Sequence, residues 1–342
     1  MTADRGSPFQ PRVEPVLVTL PDGCRVAARL FGPEDAPPVL VVAGGDGRML
    51  QWRGLIPELC VDAAEREIFA AAGCRASLAA DLRVAAFDAR GTGWSSRSHG
   101  VCATIGAAAA DALALAAAVF ERPFHVVGHA LGAATALELA LAAGRLVRSL
   151  TLISGTAGGE RLVLPGQEVF EVRAGLADAL EVIVGGAAAG GADRAAAGGV
   201  EDVDAAGHGL ATLARRDVEL AYAAPFAEGH AGLLDHLAAE ALDELLAEAE
   251  LSRRGAEGMS AAEARGEQFA ALDLVARLVE VTAPTLVVHG EHDVVLPPGN
   301  GKALADGIRG ARLVVLHAGH AVTIERAEEV AAALCAHVLL HP

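Results

Sequence analysis

The chain has 342 residues, 53% of them hydrophobic and 21% charged, with a formal charge of −17. This composition excludes a disordered chain and is sufficient for one large buried core. An acidic balance without clustered Lys and Arg excludes a nucleic-acid partner.

Cys24, Cys60, Cys74, Cys102 and Cys335 are scattered and show no CxxC spacing. Reduced thiols in a cytoplasmic protein, with no metal site, are therefore expected. The opening residues, MTADRGSPFQPR, lack the apolar core of a signal peptide. The apolar run Ala103 to Val119 is interrupted by Asp111 and is too short to span a bilayer, so it reads as a buried helix and no membrane contact is expected.

In chain order, Val16 to Leu20 and Arg25 to Leu30 flank the turn Pro21-Asp22-Gly23 and predict an antiparallel hairpin. Val39 to Val42 is a buried strand that ends in Ala43-Gly44-Gly45-Asp46-Gly47, and Trp52 to Ala72 predicts mostly helix, broken at Gly73. Arg83 to Phe87 is the next strand, and Thr104 caps a helix that Pro123 stops. Phe124 to Val127 and Val147 to Ile153 follow as strands on either side of an Ala- and Leu-rich helix. After Ser154 the alternation fails, and residues 158–270 hold helix-like segments and a Gly/Ala-rich connector, Gly185 to Gly199, expected to be mobile. Strands return at Thr285 to His289 and Arg312 to Leu316. The expected architecture is α/β, a mostly parallel doubly wound sheet, with its core in residues 1–157 and 271–342 and a helical cap inserted at 158–270.

The sharpest local signal is Gly128-His129-Ala130-Leu131-Gly132. A strand that becomes a helix within five residues forces its central residue into a strained conformation and needs small neighbours. That is the geometry of a nucleophile elbow, G-x-S-x-G, with Ala130 where the reactive residue belongs.

Four motifs in order resemble the α/β-hydrolase superfamily: Asp88 to Ser95 (DARGTGWS), the elbow, His289 to Asp293 (HGEHD) with Pro297, and Ala318-Gly319-His320. The resemblance implies Ala130 at the nucleophile position, His320 as the base and Asp293 as its orienter, with a gap of 27 residues between acid and base. It also implies an oxyanion hole built from the N–H groups of Leu131 and Gly45. The Gly-Gly form of that loop is similar to the one in actinobacterial methylesterases of polyketide metabolism. Glu291 competes with Asp293 for the acid role, but the G-x-x-D spacing favours Asp293. His125, His129, His289 and His292 are given structural or near-site positions, and Asp88, Arg90 and Ser95 a structural turn. Tyr222 and His230 belong to the insert, lining a pocket or packing within the cap.

What the resemblance implies for activity is hydrolysis of a carboxylic ester, thioester or lactone of a small molecule, without a cofactor, by a monomer or homodimer. Ala130 leaves three readings open: a serine enzyme inactivated by substitution, a natural serine-less enzyme using Asp293–His320 as a base for elimination, cyclisation or isomerisation, or a pseudoenzyme that binds without turnover. An aspartate nucleophile fits less well, because Leu131 and the Ala43-Gly44-Gly45-Asp46 loop match neither of the motifs that accompany it.

Overall fold

A computed structural model describes residues 15–45, 47–60, 82–96, 100–188, 200–253 and 261–342. Its strands are β1 (Val16–Thr19), β2 (Arg25–Phe31), β3 (Pro38–Val42), β4 (Arg83–Phe87), β5 (Phe124–His129), β6 (Val147–Ile153), β7 (Thr285–Gly290) and β8 (Arg312–Leu316). They form one eight-stranded sheet in the order β1-β2-β4-β3-β5-β6-β7-β8. β1 and β2 pair antiparallel, as the Pro-Asp-Gly turn predicts, and so do β2 and β4; every pairing from β4 through β8 is parallel.

Helices cover both faces, which is why the central strands are continuous apolar runs. Successive residues of a strand point to opposite faces. Leu40 and Val126 accordingly pack with α2 (Ile105–Phe120) and α3 (Leu131–Ala143), while Val41 and Val127 pack with α1 (Ile56–Leu59) and α11 (Ala327–Leu339). Thr104 caps α2, its Oγ1 accepting from the Ala107 N–H at 3.1 Å. The helix expected from Trp52 is interrupted: Met49–Trp52 is a 3-10 turn, α1 is a single turn, and Cys60 is extended. The remainder of that expected helix, with Gly73, lies outside the described residues.

Between β6 and β7 the described residues form helices and no sheet strand: α4 (Gln167–Ala188), α5 (Val200–Leu220), α6 (Ala224–Gly229), α7 (Ala231–Arg253) and α8 (Ala261–Ala270). The insert leaves and re-enters the core at one point, where Gly159 N–H donates to Leu272 C=O at 2.9 Å and Leu274 N–H to Ala157 C=O at 2.8 Å. Val169, Val172, Leu176, Leu210 and Ala214 give it an apolar centre of its own. It lies against loops at the carboxyl ends of β3 and β8. Glu240 on α7 pairs with Arg53 at 2.6 Å, Glu244 pairs with Arg48, and Ala321 N–H donates to Ala221 C=O at 2.7 Å. α4 runs through Gly185 and Ala188, and the rest of the expected Gly/Ala-rich connector lies outside the described residues. Two further helices, α9 (Gly299–Gly307) and α10 (Val322–Glu325), complete the C-terminal part. Among the described residues no helix is long and apolar enough to cross a membrane.

Candidate active site

β5 passes into α3 through Ala130, whose φ of 53° and ψ of −120° lie outside the regions an alanine ordinarily adopts. The strain persists because both neighbours in the motif are pinned. A Cβ on Gly128 would fall 2.2 Å from the Gly132 carbonyl oxygen, and one on Gly132 would fall 2.3 Å from that of Val42. Gly128→Ala is therefore expected to cost the upper end of the ~1–3 kcal/mol of ordinary overpacking, because the obstacle is backbone. Urea denaturation measures it, and an unchanged midpoint would contradict this account of the turn.

Leu131 is the first residue of α3, a position whose N–H has no partner within the helix. The loop after β3 crosses directly over it: a Cβ on Gly44 would lie 2.8 Å from the Ala130 methyl and 3.0 Å from the Leu131 nitrogen. The Gly44 N–H is already committed to Gln51 Oε1 at 2.7 Å. Gly45 follows with φ +42°, a left-handed turn that glycine adopts readily.

His320 and Asp293 meet: His320 Nδ1 and Asp293 Oδ2 are 2.8 Å apart. Asp293 is 2% exposed. Its Oδ1 accepts from the N–H groups of Val295 at 2.9 Å and Leu296 at 2.8 Å, and His289 Nε2 lies 3.3 Å from Oδ2. Burial pushes its pKa up, but the His320 charge and the hydrogen bonds of His289 and His320 outweigh burial and hold it well below the usual carboxylate range. An ionised carboxylate so fixed sets the Nδ1–H tautomer of His320 and leaves Nε2 as the free base nitrogen. Glu291, the rival acid, is exposed beside His292 and His317.

His129 holds a position that sequence reasoning left undefined. Its Nε2 is 3.0 Å from the His320 carbonyl oxygen, and its Nδ1 is 3.0 Å from Gln51 Nε2. The proton assignments follow from the partners. The Gly44 N–H can only donate, so the Gln51 oxygen faces it and the Gln51 nitrogen donates to His129 Nδ1; His129 Nε2–H then donates to His320 C=O. Burial lowers the His129 pKa to about 3, with the neighbouring His320 adding to the effect. A neutral ring thus links the loop of Gly44 to the loop of His320, with 4.9 Å between the centroids of the two histidine rings. Gln51 carried no sequence signal, because it lies outside every motif and reaches the site only through the turn after β3.

Other expected residues lie elsewhere. Asp88 accepts from Met49 N–H and Trp94 N–H, both at 2.9 Å, and Ser95 Oγ donates to Asp88 C=O at 2.6 Å. Arg90 is paired with Asp111 and Asp22, so DARGTGWS is a structural turn. His125 is buried against Ser149 Oγ at 2.8 Å. Tyr222 stacks on Phe226, and Phe226 on His230, within the helical insert. A cavity of about 70 Å³ reaches Gly44, Leu131 and Gly132 from beneath α8, lined also by Thr135, Ala264 and Gln268. A larger one of about 370 Å³ lies between α7 and the Asp88 turn, and none of Ala130, Asp293 and His320 lines it.

The model of a family described as "Alpha/beta hydrolase family" matches residues 39–333. A rhodomycin D methylesterase, DauP, of Streptomyces sp. (strain C5) is 41% identical over 63 residues, 18% of this chain and 21% of that protein, so the chain spans about a fifth of the length of the curated relative. Among solved structures, a 2-hydroxy-6-oxo-6-phenylhexa-2,4-dienoate hydrolase of Rhodococcus sp. strain RHA1 superposes with a TM-score of 0.67 at 19% identity, covering 95% of this chain and 99% of that one. A thermophilic esterase of Thermogutta terrifontis gives 0.64 at 21% identity, covering 96% and 100%. At these identities the two structures establish likeness of fold alone.

Proposed function

The chain belongs to the alpha/beta hydrolase family, and on that premise we propose that its site is built to hydrolyse a carboxylic ester, thioester or lactone of a small molecule through an acyl-enzyme, with the nucleophile position held by Ala130. The observation that carries this reading is the Asp293–His320 contact at 2.8 Å beside a strained elbow. With serine at position 130, the Oγ attacks the substrate carbonyl carbon as its proton passes to His320 Nε2. The oxyanion forms against the N–H groups of Leu131 and Gly45, and the alcohol leaves with the proton from His320. Water, deprotonated by the same nitrogen, then releases the acid. Alanine has no oxygen to attack, so the chain as it stands binds substrate without the covalent step. The reading needs no cofactor and suits a monomer or homodimer in the cytoplasm, acting on a secondary-metabolite ester. Methyl esters are the first to try, because the relative that matches 63 residues is a methylesterase.

The test is restoration of the nucleophile: Ala130→Ser, assayed on an ester panel, with His320→Ala in the same background. A second reading rests on the same contact, since an intact base beside an alanine also suits an elimination, cyclisation or isomerisation without an acyl-enzyme. It is distinguished by turnover in the Ala130 protein that His320→Ala abolishes. Gln51→Ala in the restored protein is expected to lower kcat by up to about a hundredfold with little change in KM, because it releases the Gly44 loop from His129 and misplaces an oxyanion donor. A rise in KM alone would show that Gln51 serves binding instead.

A further inference from the structure

Beyond the hydrolytic site, we infer that Glu291, His292 and His317 form a binding site for a borderline divalent cation such as Zn2+. His292 Nε2 and His317 Nδ1 are 2.9 Å apart, Glu291 Oε2 lies 3.3 Å from His317 Nδ1, and it lies 4.0 Å from His292 Nε2. A triangle with these edges has a point about 2 Å from all three atoms, the length of a Zn–N or Zn–O bond. Two imidazoles and one carboxylate are the donor types that select Zn2+, Co2+ and Ni2+ over Mg2+ or Ca2+, which prefer oxygen.

The backbone presets the arrangement. Glu291 N–H donates to Leu316 C=O at 2.8 Å and His292 N–H to Ala318 C=O at 2.9 Å, so the ladder of β7 and β8 continues past both strand ends. That pairing sets Glu291 and His292 across from His317, whose own carbonyl accepts from Arg326 Nε at 3.1 Å. All three side chains are open to solvent, at 43% for His292, 60% for Glu291 and 62% for His317, so an ion has an entry path and water completes its coordination. The chain's net charge of −17 draws cations toward the surface. Without a metal, His292 and Glu291 both meet the same ring nitrogen, His317 Nδ1, at 2.9 and 3.3 Å. With one, all three lone pairs are used. The ion would clip together the two segments that carry Asp293 and His320, one and three residues away.

The experiment is titration of chelator-treated protein with Zn2+ by calorimetry and with Co2+ by visible absorption. One saturable equivalent is expected, with a rise in the melting temperature that grows with free ion concentration. His292→Ala and His317→Ala should each weaken binding by about tenfold or more, and Glu291→Gln by less. Lowering the pH from 7.5 to 5.5 should release the ion, since imidazole ligates only when neutral. His320→Ala should leave binding unchanged, which separates this site from capture by the Asp293–His320 pair and keeps the test independent of the hydrolase reading. Because the ligands are exposed, the variants should melt like the parent without metal; should His317→Ala not, His317→Gln replaces it. Absence of saturable binding, binding indifferent to His292 and His317, or binding lost with His320 would each overturn the site.

Discussion

Ala130→Ser is expected to raise hydrolysis of short-chain esters steeply, because losing the serine of a triad costs on the order of a millionfold in turnover. The size of the gain depends on what is already in place. The elbow holds φ 53° with alanine at its apex, so serine adds one oxygen to a side chain whose direction is fixed and incurs no new backbone strain. His320 lies 2.8 Å from a carboxylate that accepts from two further N–H groups, so the proposed base role asks for no rearrangement. In the restored protein His320→Ala should remove most of the gain. Asp293→Asn should cost about ten-thousandfold, since an amide in place of the carboxylate imposes the wrong histidine tautomer. The three changes should be far from additive, because the residues act as one unit. A folded Ala130→Ser protein that stays inert on a broad panel of methyl, aryl and thioesters would remove the acyl-enzyme reading and leave base chemistry or ligand binding.

The sheet was legible because each of its buried strands is a short apolar run bounded by turn residues, and because parallel strands covered on both faces have no polar side to blur the pattern. The elbow was legible for a steric reason: Gly128 and Gly132 stand where any Cβ would meet backbone oxygen within 2.3 Å. Asp293 and His320 were found by motif order, and the structure places them in contact. Gln51 was invisible, since a single polar residue in a 3-10 turn carries no periodicity and its partners, Gly44 and His129, are 7 and 78 residues away. The role of His129 was equally hidden: a histidine inside an elbow motif reads the same whether it packs or links two loops. The mostly helical stretch expected from Trp52 can be compared only as far as Cys60, since the rest lies outside the described residues. Over that part, packing of Trp52, Leu55 and Leu59 under the sheet is met by two short turns that end at an extended Cys60.

Acidification from pH 6.5 toward 4 is expected to destabilise the fold through two buried histidines. Burial lowers His129 to about 3, helped by His320, and burial lowers His125 to about 4, helped by Arg148. Both regain a value near 6.5 on unfolding. The folded pKa is the lower one, so below pH 6.5 the unfolded chain binds protons that the folded chain refuses. Stability then falls with pH until the folded values are reached. Each ring contributes about 1.4 kcal/mol per pH unit once well below 6.5, and two rings together approach 3 kcal/mol per unit, against a typical total of ~5–15 kcal/mol. Glu58 and Glu325 work in the opposite direction, since burial raises both and their protonation relieves the fold as pH falls. Asp293, held far below the usual range, keeps its contribution through this window and loses it only at lower pH. The histidine share is isolated by comparing the parent with His129→Gln in urea denaturation at pH 7, 6 and 5. The variant should show a slope shallower by about 1.4 kcal/mol per unit at the acid end, and equal slopes would sink the argument. The same protonation carries a functional consequence. A proton on His129 Nδ1 faces the Gln51 amide nitrogen, which is itself a donor, so the link that holds Gly44 over the elbow breaks. Acid should therefore loosen the loop that crosses Ala130 before the fold as a whole gives way, and amide exchange at Gly44 and Gly45 should quicken at a higher pH than exchange in β5.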